Sequence, residues 1–100
     1  MTIKLVNRTF EGELLLEGQL DPSSAPEVAE IFAQVSQRFD RIVLNLAGLS
    51  YISSAGLRVF RDLNMTMRRK GGELLLKNVD KRVMEVFEMT GFAGLVKIRN

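Results

Sequence analysis

Residues 41–60 read "RIVLNLAGLSYISSAGLRVF", and the apolar residues follow two different periodicities on either side of a small, polar segment. The apolar run "IVLNL" is typical of a strand that ends near Leu46. From Leu57 onwards the apolar residues recur at helical spacing, so a helix is predicted to begin between Ser53 and Ala55. A strand that leads into a helix is the repeating unit of an α/β fold.

The rest of the chain repeats this alternation. "IKLVNRT", "GELLLEG" and "GELLLKNV" predict strands, and "LVKIR" predicts a last strand or an extended tail. Helices are predicted from an apolar stripe between Val28 and Phe39 and from a short stretch capped by Asp80. The order β-β-α-β-α-β-α-β predicts one α/β domain over residues 1–100, with a mostly parallel mixed sheet of four to five strands and helices packed on it. The continuous apolar run Leu14–Leu16 further predicts a strand covered on both faces.

Composition excludes several classes of function. The 100 residues include no Cys and no His, which rules out disulfides, thiolate catalysis, Cys/His zinc sites and His-based triads. The net charge of only +2 and the scattered basic residues provide no stripe for tracking nucleic acid. No apolar run approaches the roughly 20 residues that span a bilayer, and the first residues lack a secretory signal. We therefore expect no direct membrane insertion and a cytoplasmic location.

Motifs of enzymes are also missing. The sequence contains neither a phosphate-binding loop nor a dinucleotide fingerprint. The carboxylates in predicted loops are those of Asp21 and Asp80, and no pair is predicted to face another across a cleft. We therefore predict a protein that is not an enzyme and that has no catalytic residue, no cofactor and no metal site.

The two adjacent serines at the predicted helix start allow two interpretations. A serine at the N-cap accepts a hydrogen bond from a backbone N–H and stabilises the helix by about 1 kcal/mol, which explains one hydroxyl. Phosphorylation is the other interpretation, because phosphate on Ser54 would add a charge of about −1.5 to −2 at the positive helix end. Ala55 and Gly56 are small enough to leave the backbone amides open, and Arg58 lies one turn on. The residues alone leave both interpretations open.

The stretch "IVLNLAGLSYISSAGLRVF" resembles the signature of STAS domains, especially stand-alone bacterial anti-sigma factor antagonists. "LEGQLDPSSAPEV" is similar to the family's Gly-x-Leu-Asp segment, and "KGGELLLKNVDKRVMEVFEMTGF" is similar to its fourth strand and third helix. The resemblance implies one STAS domain over residues 1–100 and a function in partner switching. In this family the unphosphorylated antagonist binds an anti-sigma factor that is also a serine kinase, and so releases a sigma factor. The kinase ends the interaction by phosphorylating the antagonist, and a PP2C-type phosphatase reverses the modification.

The resemblance also implies particular site residues. The phosphoacceptor falls on Ser54, with Ser53 as the alternative, and Ser53 stands where many family members have Asp. The family's kinase-binding loop maps to Asp21, for which a role as a turn residue is an equal alternative. Asp62 and Met65 are interface candidates by adjacency alone. The predicted partner-binding residues are Asp21, Ser23, Ser53, Ser54, Ala55, Gly56, Arg58 and Arg61.

Two further functions compete with this one. An STAS subunit could instead dock on a transporter, of the anion type or of the lipid-trafficking ABC type, and the neighbouring genes would distinguish that function from antagonism. A nucleotide-binding domain would share the α/β class, but the sequence offers it no phosphate loop and no general base. We expect a monomer, because no long apolar stripe remains after the core is assigned.

Overall fold

Strands and helices alternate along the chain in the predicted order, in a computed structural model that describes all residues 1–100. The elements are β1 (Thr2–Asn7), β2 (Gly12–Leu20), α1 (Ala25–Arg38), β3 (Arg41–Ile52), α2 (Ser54–Arg69), β4 (Glu73–Lys77), α3 (Lys81–Met89), a single 3-10 turn (Phe92–Gly94) and β5 (Lys97–Arg99).

The five strands form one mixed sheet in the spatial order β1-β2-β3-β4-β5. β1 pairs antiparallel with β2, and the remaining neighbours pair in parallel. Each parallel connection passes through one helix and moves one strand along in the same direction. Because such crossovers are right-handed, all three helices lie on the same face of the sheet. The predicted class, a single α/β domain with a mostly parallel mixed sheet, is confirmed.

Phe60 of α2 lies at the centre of the core between the sheet and the helices. Its buried ring is 5.7 Å from that of Phe32 in α1, 6.0 Å from Phe87 in α3 and 6.4 Å from Phe92 in the 3-10 turn, between ring centroids. Aromatic pairs at such distances attract each other beyond the effect of area burial. Phe60 therefore joins all three helices and fixes how α2 lies on the sheet.

The opposite face of the sheet carries no helix, so the prediction that Leu14–Leu16 would be covered on both faces is wrong. Leu14 and Leu16 are fully buried beneath the helices. Leu15, which points to the other face because side chains alternate along a strand, is only half-buried. A continuous apolar run therefore occurs here in a strand with one covered face.

Charged side chains shield part of the helix-free face. The carboxylate of Glu13, a buried residue, lies 3.1 Å from Nζ of Lys77 and 3.2 Å from Nη2 of Arg8, and it accepts a hydrogen bond from Asn45 at 3.4 Å. Burial raises the pKa of Glu13, but the hydrogen bonds from Lys77, Arg8 and Asn45 outweigh it and leave the pKa below its ordinary value. This cluster ties the β1–β2 turn to three neighbouring strands.

β3 continues to Ile52, well beyond the predicted end near Leu46. It does so because β2 continues alongside it, pairing Gln19 with Tyr51 and Leu20 with Ile52 across two shifts in register. The residues after Leu46 include Ala and Gly, which have weak strand propensity, so the local sequence concealed the extension. As a result, a single residue separates β3 from α2.

Candidate functional site

Ser53 is the junction between β3 and α2. Its backbone is extended, with φ −88° and ψ 173°, and its Oγ accepts a hydrogen bond from the Gly56 N–H at 3.1 Å. This is the geometry of an N-cap. The Ser53 N–H donates to the Leu20 carbonyl at 2.8 Å, so the cap residue is also attached to the end of β2. One of the two serines therefore has the structural role that the sequence suggested.

Ser54 is the first residue of α2, and its side chain is exposed. Because Ser53 supplies the cap, the Ser54 hydroxyl is not needed to begin the helix. The first turn contains no acidic residue, so no side-chain charge compensates the positive end of the helix dipole there. Arg58, one turn on, is exposed as well. A phosphate on Ser54 would lie near a positive helix end and, on the same side of α2, a cation.

Gly56 has a different role from the one expected of an open first turn. It is buried, and a Cβ at this position would lie 2.6 Å from Cγ of Leu20 and 3.0 Å from Cγ1 of Ile52. Glycine therefore allows α2 to begin directly against the ends of β2 and β3. Ala55 is half-buried, as is the cap residue, so Ser54 is the only exposed residue among positions 53–56.

Asp21 closes the loop that follows β2. Its Oδ1 accepts hydrogen bonds from the Ser23 hydroxyl at 2.6 Å and from the backbone N–H groups of Ser23 and Ser24 at 2.9 Å and 3.0 Å. These bonds, that from the Ser23 hydroxyl above all, hold the pKa of Asp21 below its ordinary value. The interpretation of Asp21 as a turn residue is confirmed. The loop lies next to the start of α2, because the carbonyl of Leu20, the residue before the loop, accepts a hydrogen bond from the Ser53 N–H.

The remaining predicted interface residues lie along the outer side of α2. Arg58, Arg61, Asp62 and Met65 are all exposed. Nη2 of Arg61 donates to the carbonyl of Thr90, the C-cap residue of α3, at 3.3 Å. A cation at a helix C-terminus is favourable, so Arg61 also joins α2 to α3. The four residues form no single pocket with the loop of Asp21, and their part in binding stays a prediction.

Sequence reasoning did not single out Tyr51, which lies two residues before the cap. Its side chain is 50% exposed, whereas Leu49 and Ile52 on either side of the pair Ser50–Tyr51 are buried. Strict alternation along a strand would have turned one member of that pair inwards. The shift in register exposes both, and a register shift leaves no local signal in the sequence.

None of the helices combines the length and the apolar character needed to cross a bilayer. The acidic side chains form no group of three or more that could hold a metal ion.

Comparison with protein families matches residues 6–100 to the STAS domain. BtrV of Bordetella bronchiseptica, provisionally named an anti-sigma factor antagonist, is 39% identical over 98% of this chain and 87% of its own length. The anti-sigma-B factor antagonist of Listeria monocytogenes is 33% identical over 88% of this chain and 78% of its own length. These similarities extend over most of the chain and are not confined to the serine motif.

Solved structures show the same architecture. A Thermotoga maritima protein, provisionally described as an anti-sigma factor antagonist, superposes with a TM-score of 0.92 over 98% of this chain and 86% of its own, at 20% identity. The Bacillus cell fate determinant SpoIIAA in its phosphorylated form gives a TM-score of 0.77 over 99% of this chain and 92% of its own, at 18% identity. At such identities the likeness shows a shared fold.

Proposed function

The chain belongs to the STAS domain family, and we propose that it is an anti-sigma factor antagonist that phosphorylation of Ser54 switches off. The names of its two relatives support the antagonist function. The switch is supported above all by one observation: Ser54 is the only exposed residue at the start of α2, whose cap is made by Ser53. No observation favours the alternative of a subunit that docks on a transporter.

In the unphosphorylated state the proposed partner is an anti-sigma factor that is also a serine kinase. It would contact the start of α2 and the loop of Asp21 together, because the backbone hydrogen bond between Ser53 and Leu20 holds these two segments side by side. Binding of the anti-sigma factor then releases the sigma factor, so that transcription is regulated by an exchange of partners. We assign the catalytic groups to the kinase and none to this chain, which acts as a cytoplasmic monomer.

Phosphorylation would change the surface of the domain without unfolding it. A phosphate on Ser54 is stabilised by the positive end of α2 and by Arg58, an effect of about 0.3–1 kcal/mol for an exposed anion. The partner's contact surface, however, would have to desolvate a dianion where a neutral hydroxyl had been. Desolvation of an ion without a matched counter-charge costs several kcal/mol. The phosphate would therefore weaken binding of the partner while the domain stays folded. A PP2C-type phosphatase would remove the phosphate and restore binding.

Mass analysis of the protein from its own cells tests the switch. We expect one phosphate on Ser54, present in the wild type and absent from Ser54→Ala. Ser53→Ala is the matched control, because it removes the neighbouring hydroxyl and leaves the proposed acceptor in place. A phosphate found on Ser53 would transfer the switch to the alternative acceptor. The absence of phosphate under every growth condition, with Ser54→Ala and wild type equally active, would contradict the proposed switch.

A further inference from the structure

A hollow of about 400 Å³ opens between the end of β3 and the start of α3, and we refer to it as the β3–α3 hollow. Its apolar part includes Ile52 and Val83, which are 4% and 1% exposed. At its rim, Tyr51 is 50% exposed and presents an aromatic ring, and the side chain of Arg82 is 78% exposed and presents a cation. None of its lining residues belongs to α2, so the hollow is distinct from the proposed phosphoacceptor.

The hollow adjoins the proposed docking surface. Ile52 directly precedes the cap residue Ser53, and Gln19 directly precedes Leu20, whose carbonyl accepts the Ser53 N–H at 2.8 Å. A stable protein interface covers about 800 Å² on each partner, far more than one helix turn presents. A partner that covers the start of α2 and the loop of Asp21 will therefore extend over a neighbouring surface, and the β3–α3 hollow is continuous with both segments.

The side chains at the hollow suit a protein partner that presents an apolar group and a carboxylate side by side. Tyr and Arg are enriched among the residues whose truncation weakens protein interfaces most. Tyr51 is the only tyrosine of the chain, and half of its surface is free to contact an apolar group. Arg82 lies 3.7 Å from Asp80 through Nε alone, and a guanidinium carries five N–H donors. Arg82 can therefore pair with a second carboxylate from outside.

We propose that the β3–α3 hollow receives an apolar side chain of the anti-sigma factor, beside a carboxylate of that protein that pairs with Arg82. The proposal rests on the proposed function, because it assigns the hollow to the same partner. The contact lies outside the start of α2, so Ser54 itself takes no part in it. It orients the kinase on its substrate before the phosphate is transferred, and it adds affinity that does not depend on the modified residue.

The test is the affinity of the purified chain for the anti-sigma factor kinase of the same organism, measured by titration calorimetry. Tyr51→Ala is expected to weaken binding roughly thirtyfold, as truncation of a tyrosine that anchors an interface does. Tyr51→Phe keeps the ring and is expected to stay near the wild-type affinity. Arg82→Glu is expected to weaken binding about tenfold or more at low salt, with a smaller loss at high salt. Phe10→Ala, which truncates an exposed aromatic residue in the β1–β2 turn, is the matched control.

The outcomes separate the two proposals. Tyr51 is exposed, so thermal unfolding of Tyr51→Ala is expected to match that of the wild type. Arg82→Glu exchanges an exposed cation for an acid in the first turn of α3 and loses the ion pair with Asp80, so its unfolding temperature is expected to change by a few degrees at most and the variant to stay folded. If the wild type binds the kinase and both variants bind equally well, the assignment of the hollow is wrong while the proposed function stands. If the wild type does not bind the kinase, the proposed function fails and the assignment of the hollow fails with it. Loss of self-association in Tyr51→Ala, with unchanged kinase affinity, would assign the hollow to a second copy of this chain.

Discussion

The starts of α2 and α3 are capped in the same way but differ in charge. The Ser53 Oγ accepts a hydrogen bond from the Gly56 N–H at 3.1 Å, and the Asp80 Oδ1 accepts one from the Arg82 N–H at 2.8 Å. Asp80 brings a negative charge to the positive end of α3, whereas the cap of α2 is neutral and its first turn holds no acid. The start of α3 therefore has one carboxylate, that of its cap residue, and the start of α2 has none.

The two helix starts also differ in how they pack. The first turn of α2 includes a buried glycine against the ends of two strands, whereas Lys81 and Arg82 at the start of α3 are exposed. The proposed switch therefore lies at a closely packed helix start, where no acidic side chain compensates the positive end of the helix dipole. Rigid placement and an uncompensated dipole are what a modification site needs if phosphate is to alter binding and leave the fold intact.

Replacing Gly56 by alanine tests the packing difference and is expected to have the largest effect. The added Cβ would meet Cγ of Leu20 at 2.6 Å, and Leu20 is itself fully buried and cannot move aside. Overpacking of this kind costs about 1–3 kcal/mol of unfolding free energy. Gly94→Ala, where no atom lies within 4 Å of the new Cβ, is the control. Equal unfolding free energies for the two variants in urea denaturation would contradict the close packing of α2.

Removing the caps tests the similarity between the two helix starts. Asp80→Ala and Ser53→Ala are each expected to lower the unfolding free energy by about 1 kcal/mol, with the larger loss at Asp80 because a charge is lost as well. Ser54→Ala is expected to change it by less than about 0.5 kcal/mol, as exposed substitutions outside special contacts do. Urea denaturation of the three variants provides the measurement. If Ser54→Ala lowered the unfolding free energy as much as Ser53→Ala does, the assignment of the cap to Ser53 alone would be contradicted.

Phosphorylation of Ser54 tests the charge difference. Stoichiometric phosphate is expected to raise the unfolding free energy by about 0.3–1 kcal/mol at low salt, and both Arg58→Ala and high salt are expected to reduce the gain. Lys81→Asp puts an acid at the equivalent position of α3 but also removes a cation from the positive helix end, so Lys81→Ala is measured beside it. The difference between these two variants reports the effect of the acid alone, and it is expected to be smaller than the gain from phosphate because Asp80 already supplies a charge. Thermal unfolding at two salt concentrations measures both. Destabilisation by phosphate would show that the start of α2 is not open to an anion.

The start of α1 adds a third case, in which an aspartate closes the preceding turn. The folded pKa of Asp21 is depressed, so its stabilising effect is present above the unfolded value of about 3.9 and is lost as the pH falls through the folded value. Ser23→Ala removes the largest cause and is expected to raise the Asp21 titration midpoint, measured by carboxyl carbon NMR. Ser54→Ala is expected to leave it unchanged. An unmoved midpoint in Ser23→Ala would contradict the role of that hydroxyl.

The order of the elements and the two caps could be predicted from the sequence. Apolar spacing and cap residues act over one or two helical turns, so a local pattern specifies the strand, the helix and a cap residue at its start, Asp80 for α3 and one of two serines for α2. The length of β3 could not be predicted in this way, because its final residues are held by the partner strand and not by their own propensity. Phe92 was missed for a related reason, since it belongs to no periodic stripe and is buried against Phe60 of α2 and Phe87 of α3.

For the candidate site, too, the local features could be predicted from the sequence and the features that depend on distant residues could not. The amino-acid pattern is enough to place two hydroxyls at a helix start with a small residue and a basic residue nearby, and the resemblance to a family points to Ser54 as the acceptor. That Ser53 is hydrogen-bonded to β2, that Gly56 is buried and that Ser54 is exposed became known from the fold. The reason is physical: a cap is formed within one turn of the chain, whereas exposure depends on what the rest of the fold places beside that turn, here the end of a strand more than thirty residues earlier.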